Sequence, residues 1–270
     1  MKRHLRIALT VALGTALIAP LAGCGGGGGS SSGGASSTPT TKTIAAEGVY
    51  SGSYTMSGTS QPISVYGAIL PNGYAYFGDS QGALYVLPNG IKTGSFSGTL
   101  TAYAPIGEVF ANGQSQTSFS LNGKAQDNGS VVTDVSGSFS GAGESGNFTL
   151  NRQGISSNAT SLPKLAGSYS GYYWGSGSAA IALTVASDGT VTGNDAYGCT
   201  ITGKMSVVSG EDLVKIQADS TGSPSCVGSV SGLGFVASND ISGLFGGASG
   251  TYIYVGASNS TVGFVAELHK

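Results

Sequence analysis

Two copies of one pattern run through this chain, and they limit its fold more than any other feature of the sequence. Residues 48–54 (GVYSGSY) and 167–173 (GSYSGYY) match at five of seven positions, 119 residues apart. The ends of the copies also correspond, since residues 148–152 (FTLNR) and 266–270 (AELHK) lie 118 residues apart. Each copy is therefore near 105 residues long, which is the size of one small domain.

Within each copy, apolar residues recur at every second position. Ile181, Leu183 and Val185 alternate with small or polar residues, and residues 50–56 and 262–268 show the same period. Asn-Gly, Asp-Gly and Gly-Gly pairs bound these runs, which indicates antiparallel hairpins. The second copy contains eight such runs, near 167–174, 179–186, 190–196, 199–207, 213–219, 228–237, 250–256 and 262–269.

Eight consecutive hairpin strands lose their exposed edges by closing into a barrel. We therefore predict an all-β chain with two tandem antiparallel eight-stranded barrels, lipocalin-like in strand number, and keep a β-sandwich as the main alternative. A barrel of this size holds side chains or one small ligand. We expect the two barrels to fold independently, because the twelve mostly polar residues between them cannot carry a shared core.

The first 24 residues have the pattern of an export signal. A basic start is followed by an apolar run over 7–19, which is too short to span a bilayer as a helix. This order predicts a signal peptide over 1–23. Residues 21–24 (LAGC) resemble the lipobox of bacterial lipoproteins at all four positions. The resemblance implies that Cys24 becomes the first mature residue and carries acyl chains that partner with the lipid bilayer.

The residues after Cys24 predict a flexible tether. Residues 25–41 contain only Gly, Ser, Ala, Thr and one Pro, a composition that buries too little apolar area to fold. We therefore divide the chain into the signal peptide (1–23), a lipidated disordered tether (24–46), the first barrel (47–152), a linker (153–164) and the second barrel (165–270). Because Gly25 is not the aspartate of an inner-membrane retention signal, we expect a lipid-anchored location in the cell envelope, at the outer membrane.

The charge balance argues against nucleic acid as a partner. Removal of Lys2, Arg3 and Arg6 with the signal peptide takes the 11 basic residues to 8 against 13 acidic ones, a net charge of −5. A chain that binds phosphates needs a basic surface, and this one has no basic cluster.

Two further cysteines are available for a covalent link. With Cys24 set aside for lipid, Cys199 and Cys226 remain, and two cysteines in an exported chain predict one disulfide. The mature chain has a single histidine, His269, so we expect neither a metal site nor another cofactor.

Two resemblances concern the folded part. Residues 137–148, with GSFSG and ESGNF, resemble the barrel-closing region of transferrin-binding-protein-B-like surface lipoproteins. Residues 47–270 resemble uncharacterised two-unit lipoproteins of Gram-negative bacteria, through GCTITG at 198–203 and the cysteine downstream. Both imply barrels on a lipid anchor, and neither implies a catalytic activity.

The sequence offers little for catalysis. No Gly-x-Ser-x-Gly elbow lies between a strand and a helix, and His269 is the penultimate residue. We therefore expect no enzyme activity. An unrecognised hydrolase stays a remote alternative, with Asp134 and Glu144, or Asp188 and Asp195, as carboxylate pairs across strands.

Aromatic clusters are the better candidates for binding. Tyr172, Tyr173 and Trp174 lie together on one predicted strand, and Tyr74 and Tyr76 on another. Rings in such clusters bind proteins, sugars or small apolar molecules, and they also fill barrel interiors. We predict a membrane-anchored binding or surface-interaction module, with a structural envelope lipoprotein without a ligand as the alternative.

Overall fold

The computed structural model describes residues 46–270 apart from 89, 155–159, 176–178, 209–211 and 241–248. Residues up to 152 form barrel 1, a closed antiparallel barrel in which each strand pairs with the next and the last pairs with the first. Its strands are β1 (Gly48–Met56), β2 (Ile63–Ile69), β3 (Ala75–Asp79), β4 (Leu84–Leu87), β5 (Gly94–Tyr103), β6 (Gln116–Asp127), β7 (Val132–Gly141) and β8 (Glu144–Arg152).

A second closed antiparallel barrel, barrel 2, follows one helical turn, α1 (Leu162–Leu165). Its strands are β9 (Gly167–Tyr173), β10 (Ala180–Val185), β11 (Thr190–Asp195), β12 (Thr200–Val207), β13 (Leu213–Thr221), β14 (Gly228–Asn239), β15 (Ser249–Ser258) and β16 (Gly263–His269). In the part of the chain that the structure describes, no helix is long and apolar enough to span a membrane.

The two-barrel fold predicted from the sequence is confirmed. All eight predicted strands of the second copy are present, with ends that move by a few residues. The disulfide is also confirmed: Cys199 and Cys226 are bonded, with their Cα atoms 5.7 Å apart. It joins the residue before β12 to the loop before β14. The signal peptide, Cys24 and the tether up to residue 45 lie outside the described residues.

Both barrels begin with the same tyrosine contact. The Tyr50 hydroxyl donates to the carbonyl of Ala46 at 2.8 Å, and the Tyr169 hydroxyl donates to the carbonyl of Leu165 at 2.7 Å. Each tyrosine is the third residue of its first strand and holds the chain four residues upstream. Ala46 and Leu165 are buried, so each contact fixes the incoming chain against one end of its barrel.

Apart from the interiors of the two barrels, an apolar cluster lies between the barrels and joins them. We call it the inter-barrel cluster. It contains Val49, Ala68, Leu70, Tyr76, Leu84, Val86 and Tyr103 from barrel 1, and Trp174, Leu213, Leu233, Phe235, Ala237, Tyr252, Tyr254 and Val265 from barrel 2. Hydrogen bonds cross it too, since the Tyr103 hydroxyl donates to the carbonyl of Asn259 at 2.9 Å. The expectation that the barrels share no core is therefore wrong. The shared core comes from outward faces of the strands, not from the linker.

Candidate functional site

Barrel 1 encloses a cavity of about 350 Å³. Its wall is built from inward-facing positions of the strands, as the two-residue period requires. Most of the lining is aromatic or aliphatic: Tyr54, Phe77, Tyr85, Phe96, Phe119, Phe139 and Phe148, with Val65, Leu87, Leu100, Leu121 and Leu150. The cavity occupies the half of the barrel at which β1, β3, β5 and β7 end. The opposite half is filled by buried residues that include Tyr50, Ile69, Val132 and Val135.

Barrel 2 shows that the same fold fills its interior with side chains. Leu183, Ile201, Met205 and Ile216 belong to a continuous buried cluster inside it. At the end that corresponds to the cavity, Phe264 packs edge-on against Tyr173 with ring centroids 5.1 Å apart, beside a space of only about 10 Å³. The cavity of barrel 1 is thus a property of that barrel's own residues and not of the repeated fold.

A buried acidic side chain, Asp79, lies in the cavity wall. Asp79 ends β3 and is 1% exposed. Its Oδ2 accepts hydrogen bonds from the hydroxyls of Tyr85 (2.8 Å) and Tyr54 (2.9 Å), and its Oδ1 accepts from the backbone N–H groups of Gln81 and Ala83. Burial raises the pKa of the Asp79 carboxyl, while these four hydrogen bonds act in the opposite direction.

The two tyrosines are held in place by the same carboxyl group. Burial raises the pKa values of both the Tyr54 and the Tyr85 hydroxyls, and the nearby Asp79 carboxylate raises them further. Their oxygens lie 3.2 Å apart. Both hydroxyls therefore stay protonated and form one polar spot, with Asp79, in a wall that is otherwise largely apolar.

Most of this polar spot is duplicated in barrel 2. Asp195 ends β11, accepts the backbone N–H groups of Tyr197 and Cys199 on Oδ1, and accepts the Tyr173 hydroxyl on Oδ2 at 3.2 Å. The sequences DSQGA (79–83) and DAYGC (195–199) carry this turn, 116 residues apart. Asp79 is not among the site residues predicted from the sequence, although the shared Asp-x-x-Gly pattern marks the turn in both copies.

Tyr85 is what barrel 1 adds to the shared arrangement. The residue 116 positions later is Ile201, which belongs to the interior cluster of barrel 2. The aspartate and the first tyrosine are therefore structural elements of both barrels, whereas the second hydroxyl occurs only beside the cavity.

The loop between β5 and β6, residues 104–115, forms one side of the cavity mouth. Glu108, Val109 and Phe110 line the cavity from this loop, and Val109 is 60% exposed. Phe110 packs edge-on against Phe119 of β6, with ring centroids 6.0 Å apart. The Ala111 N–H donates to Glu144 of β8 at 3.4 Å, on the exposed surface. The loop thus connects the rim of the barrel with its aromatic interior.

Of the five aromatic residues predicted as binding candidates, Trp174, Tyr74 and Tyr76 lie at one cluster and the other two lie elsewhere. Tyr172 is 42% exposed on the outside of β9, and Tyr173 points into barrel 2. Trp174, Tyr74 and Tyr76 belong to the inter-barrel cluster or pack against it. None of the five lines the barrel 1 cavity among its described residues. The alternation of side chains sends neighbouring rings to opposite faces, and one face is a barrel interior.

The predicted carboxylate pairs are separated as well. Asp134 pairs opposite Asn151 and Glu144 opposite Gly141, at opposite ends of the β7–β8 hairpin. Asp188 lies in the turn before β11, and Asp195 ends that strand. Among the described residues, no three His, Cys, Asp or Glu side chains are grouped so that they could hold a metal ion.

Comparison with known proteins adds one distant neighbour. The solved structure of Aeromonas veronii immune modulator A is 12% identical, covers 84% of this chain and 96% of its own, and has a TM-score of 0.35. A likeness at this TM-score carries no argument about function. No family model and no curated protein matches the chain.

Proposed function

We propose that this protein is a lipid-anchored, non-enzymatic binding protein of the cell envelope that takes up a small, mostly apolar molecule in barrel 1. The cavity of about 350 Å³ carries the proposal. Small-molecule pockets in proteins have about 300–1,000 Å³, apolar walls and a few polar groups that fix orientation. At about 30 Å³ per water-sized group, the cavity suits a ligand with on the order of ten non-hydrogen atoms.

The rim supports this use of the cavity. The exposed Val109 and the partly buried Phe110 put apolar surface on the loop that borders the mouth. An apolar molecule in transit gains contacts there before it reaches the interior.

We expect Leu100→Trp to weaken ligand binding about tenfold or more, because the larger side chain fills space that the ligand needs. Leu100 lines the cavity from β5, opposite Phe119. The measurement is a calorimetric titration of the full mature chain with decanol, and circular dichroism verifies the fold.

Thr99→Trp is the matched control for this variant. Thr99 is the preceding residue of β5 and is exposed on the outer face, so the same substitution there leaves the cavity unchanged. Absence of decanol binding by the unmodified protein, or equal binding by both tryptophan variants, contradicts the proposed function.

The anchor has its own test. We expect Cys24→Ser to prevent lipidation and to move the protein from the membrane fraction to the soluble fraction, or to leave an uncleaved precursor. The reason is that the LAGC motif provides acylation only through its cysteine. Fractionation and gel mobility of the expressed protein measure this. Unchanged membrane partition and mobility in the variant contradict the lipid anchor.

A further inference from the structure

The charges around the cavity point to the polar end of its ligand, on the assumption that the proposed function holds. Three acidic side chains line the cavity: Asp79 in the wall, Glu108 on the mouth loop and Glu144 at the start of β8. No Lys, Arg or His lies among the described residues that line it. An anionic group at this site would meet Glu108 and Glu144 at the mouth and would find no basic side chain to pair with among the described lining residues.

Hydrogen-bonding capacity at the polar spot gives a second, independent argument. A tyrosine hydroxyl has one hydrogen to donate and two lone pairs that accept. Tyr54 and Tyr85 both donate to Oδ2 of Asp79, and two backbone N–H groups donate to Oδ1. These four hydrogen bonds run toward Asp79, and the Tyr85 hydroxyl also lies 3.2 Å from the Tyr54 oxygen, so the hydroxyl hydrogens are used within the polar spot. The two hydroxyls therefore offer only lone pairs to a ligand.

Tyr85 is the part of the polar spot that occurs only in the barrel with the cavity. The aspartate and Tyr54 have counterparts in barrel 2, where side chains fill the interior, but Tyr85 is replaced there by Ile201. A structural role of the turn alone does not require the second hydroxyl. Tyr85 lines the cavity, and there it adds a second hydroxyl beside Asp79.

We propose that the cavity selects an apolar molecule whose polar end is a neutral or cationic hydrogen-bond donor, an aliphatic alcohol or amine, over one that ends in a carboxylate. The alcohol or amine donates to a tyrosine oxygen, and a protonated amine is also attracted by Glu108 and Glu144 at the mouth. A carboxylate has no hydrogen to donate at neutral pH and is repelled by the same charges.

The test compares three ligands with one chain length. Decanol, decylamine and decanoate are titrated into the full mature protein at pH 7, with decanol below its solubility limit and the other two below their critical micelle concentrations. We expect decanol and decylamine to bind at least about tenfold more tightly than decanoate. Equal or tighter binding of decanoate overturns the inference and leaves the proposed function intact. Binding of none of the three overturns the proposed function itself.

Variants test the hydrogen bond at Tyr85 and the charges at the mouth separately. Tyr85→Phe removes one acceptor and is expected to weaken decanol binding about three- to tenfold, the usual range for one hydrogen bond, while decanoate binding changes little. Tyr173→Phe is the control, because it removes the hydroxyl that faces Asp195 in barrel 2, outside the cavity.

The double variant Glu108→Gln and Glu144→Gln is expected to raise decanoate affinity and to lower decylamine affinity. If the tyrosine control weakens decanol binding as much as Tyr85→Phe, or the double variant moves neither charged ligand, the inference is wrong.

Discussion

Trp174→Ala is expected to lower the free energy of unfolding of the whole chain by about 3–5 kcal/mol, the range for removal of a large buried aromatic side chain. Trp174 is 7% exposed, and its ring packs edge-on against Tyr66 of barrel 1 and Tyr254 of barrel 2. Its Nε1–H also donates to the buried Glu267 at 3.3 Å. The substitution therefore removes contacts with both barrels and a hydrogen bond to a buried carboxyl.

Denaturant unfolding followed by circular dichroism measures the effect of this variant. Tyr172→Ala is the matched control, since Tyr172 lies two residues earlier and is 42% exposed, and we expect it to cost under about 1 kcal/mol. A loss for Trp174→Ala as small as that of the control shows that the inter-barrel cluster does not stabilise the chain. Two separate unfolding transitions in the unmodified protein show that the barrels unfold independently.

Gly82→Ala is expected to destabilise the chain by about 2–5 kcal/mol, and Gly198→Ala by only about 1–2 kcal/mol. The two glycines occupy the same turn in the two barrels and both have positive φ, 96° and 79°. A Cβ on Gly82 overlaps the backbone carbonyl of Trp174, whereas a Cβ on Gly198 has nothing within 4 Å. The cost of positive φ is thus common to both variants, and the clash with the neighbouring chain segment is not.

Thermal and denaturant unfolding of the two alanine variants give the difference directly. The atoms that a Cβ on Gly82 would overlap belong to the backbone of Trp174 and Gly175, so they cannot rotate away. In Gly82→Ala, the segment after β9 therefore has to move away from barrel 1. Equal destabilisation by the two substitutions contradicts the close approach of the barrels at this turn.

Local chemistry explains why the strands could be read from the sequence. Alternation such as that of Ile181, Leu183 and Val185 fixes which side chains face inward, and Asp-Gly and Asn-Gly pairs fix where hairpins turn. The disulfide was also predictable, because only two cysteines remained to pair. These features act over a few residues, or through elimination, and need no knowledge of the tertiary structure.

The cavity and its polar spot could not be derived in the same way. Whether a barrel interior is filled depends on how side chains from eight strands fit together, and periodicity gives only their direction. The Asp79 turn had a signal in the repeated Asp-x-x-Gly pattern, but its contact with Tyr54 and Tyr85 depends on which strands become neighbours. The place of Trp174, Tyr74 and Tyr76 at the inter-barrel cluster was out of reach for the same reason, since the tertiary structure decides which outward faces meet.

By itself, the sequence determined two antiparallel barrels of eight strands each, the approximate ends of the strands in the second copy, and the bond between Cys199 and Cys226. Only the tertiary structure decided that barrel 1 is hollow, that barrel 2 is filled, and that outward-facing residues such as Trp174 and Tyr76 form a core between them. The physical reason is the distance along the chain over which the deciding interactions act. Alternation and turns are set by neighbours along the chain, whereas cavities and interfaces are set by the combined volumes of side chains that meet only after the barrels have closed.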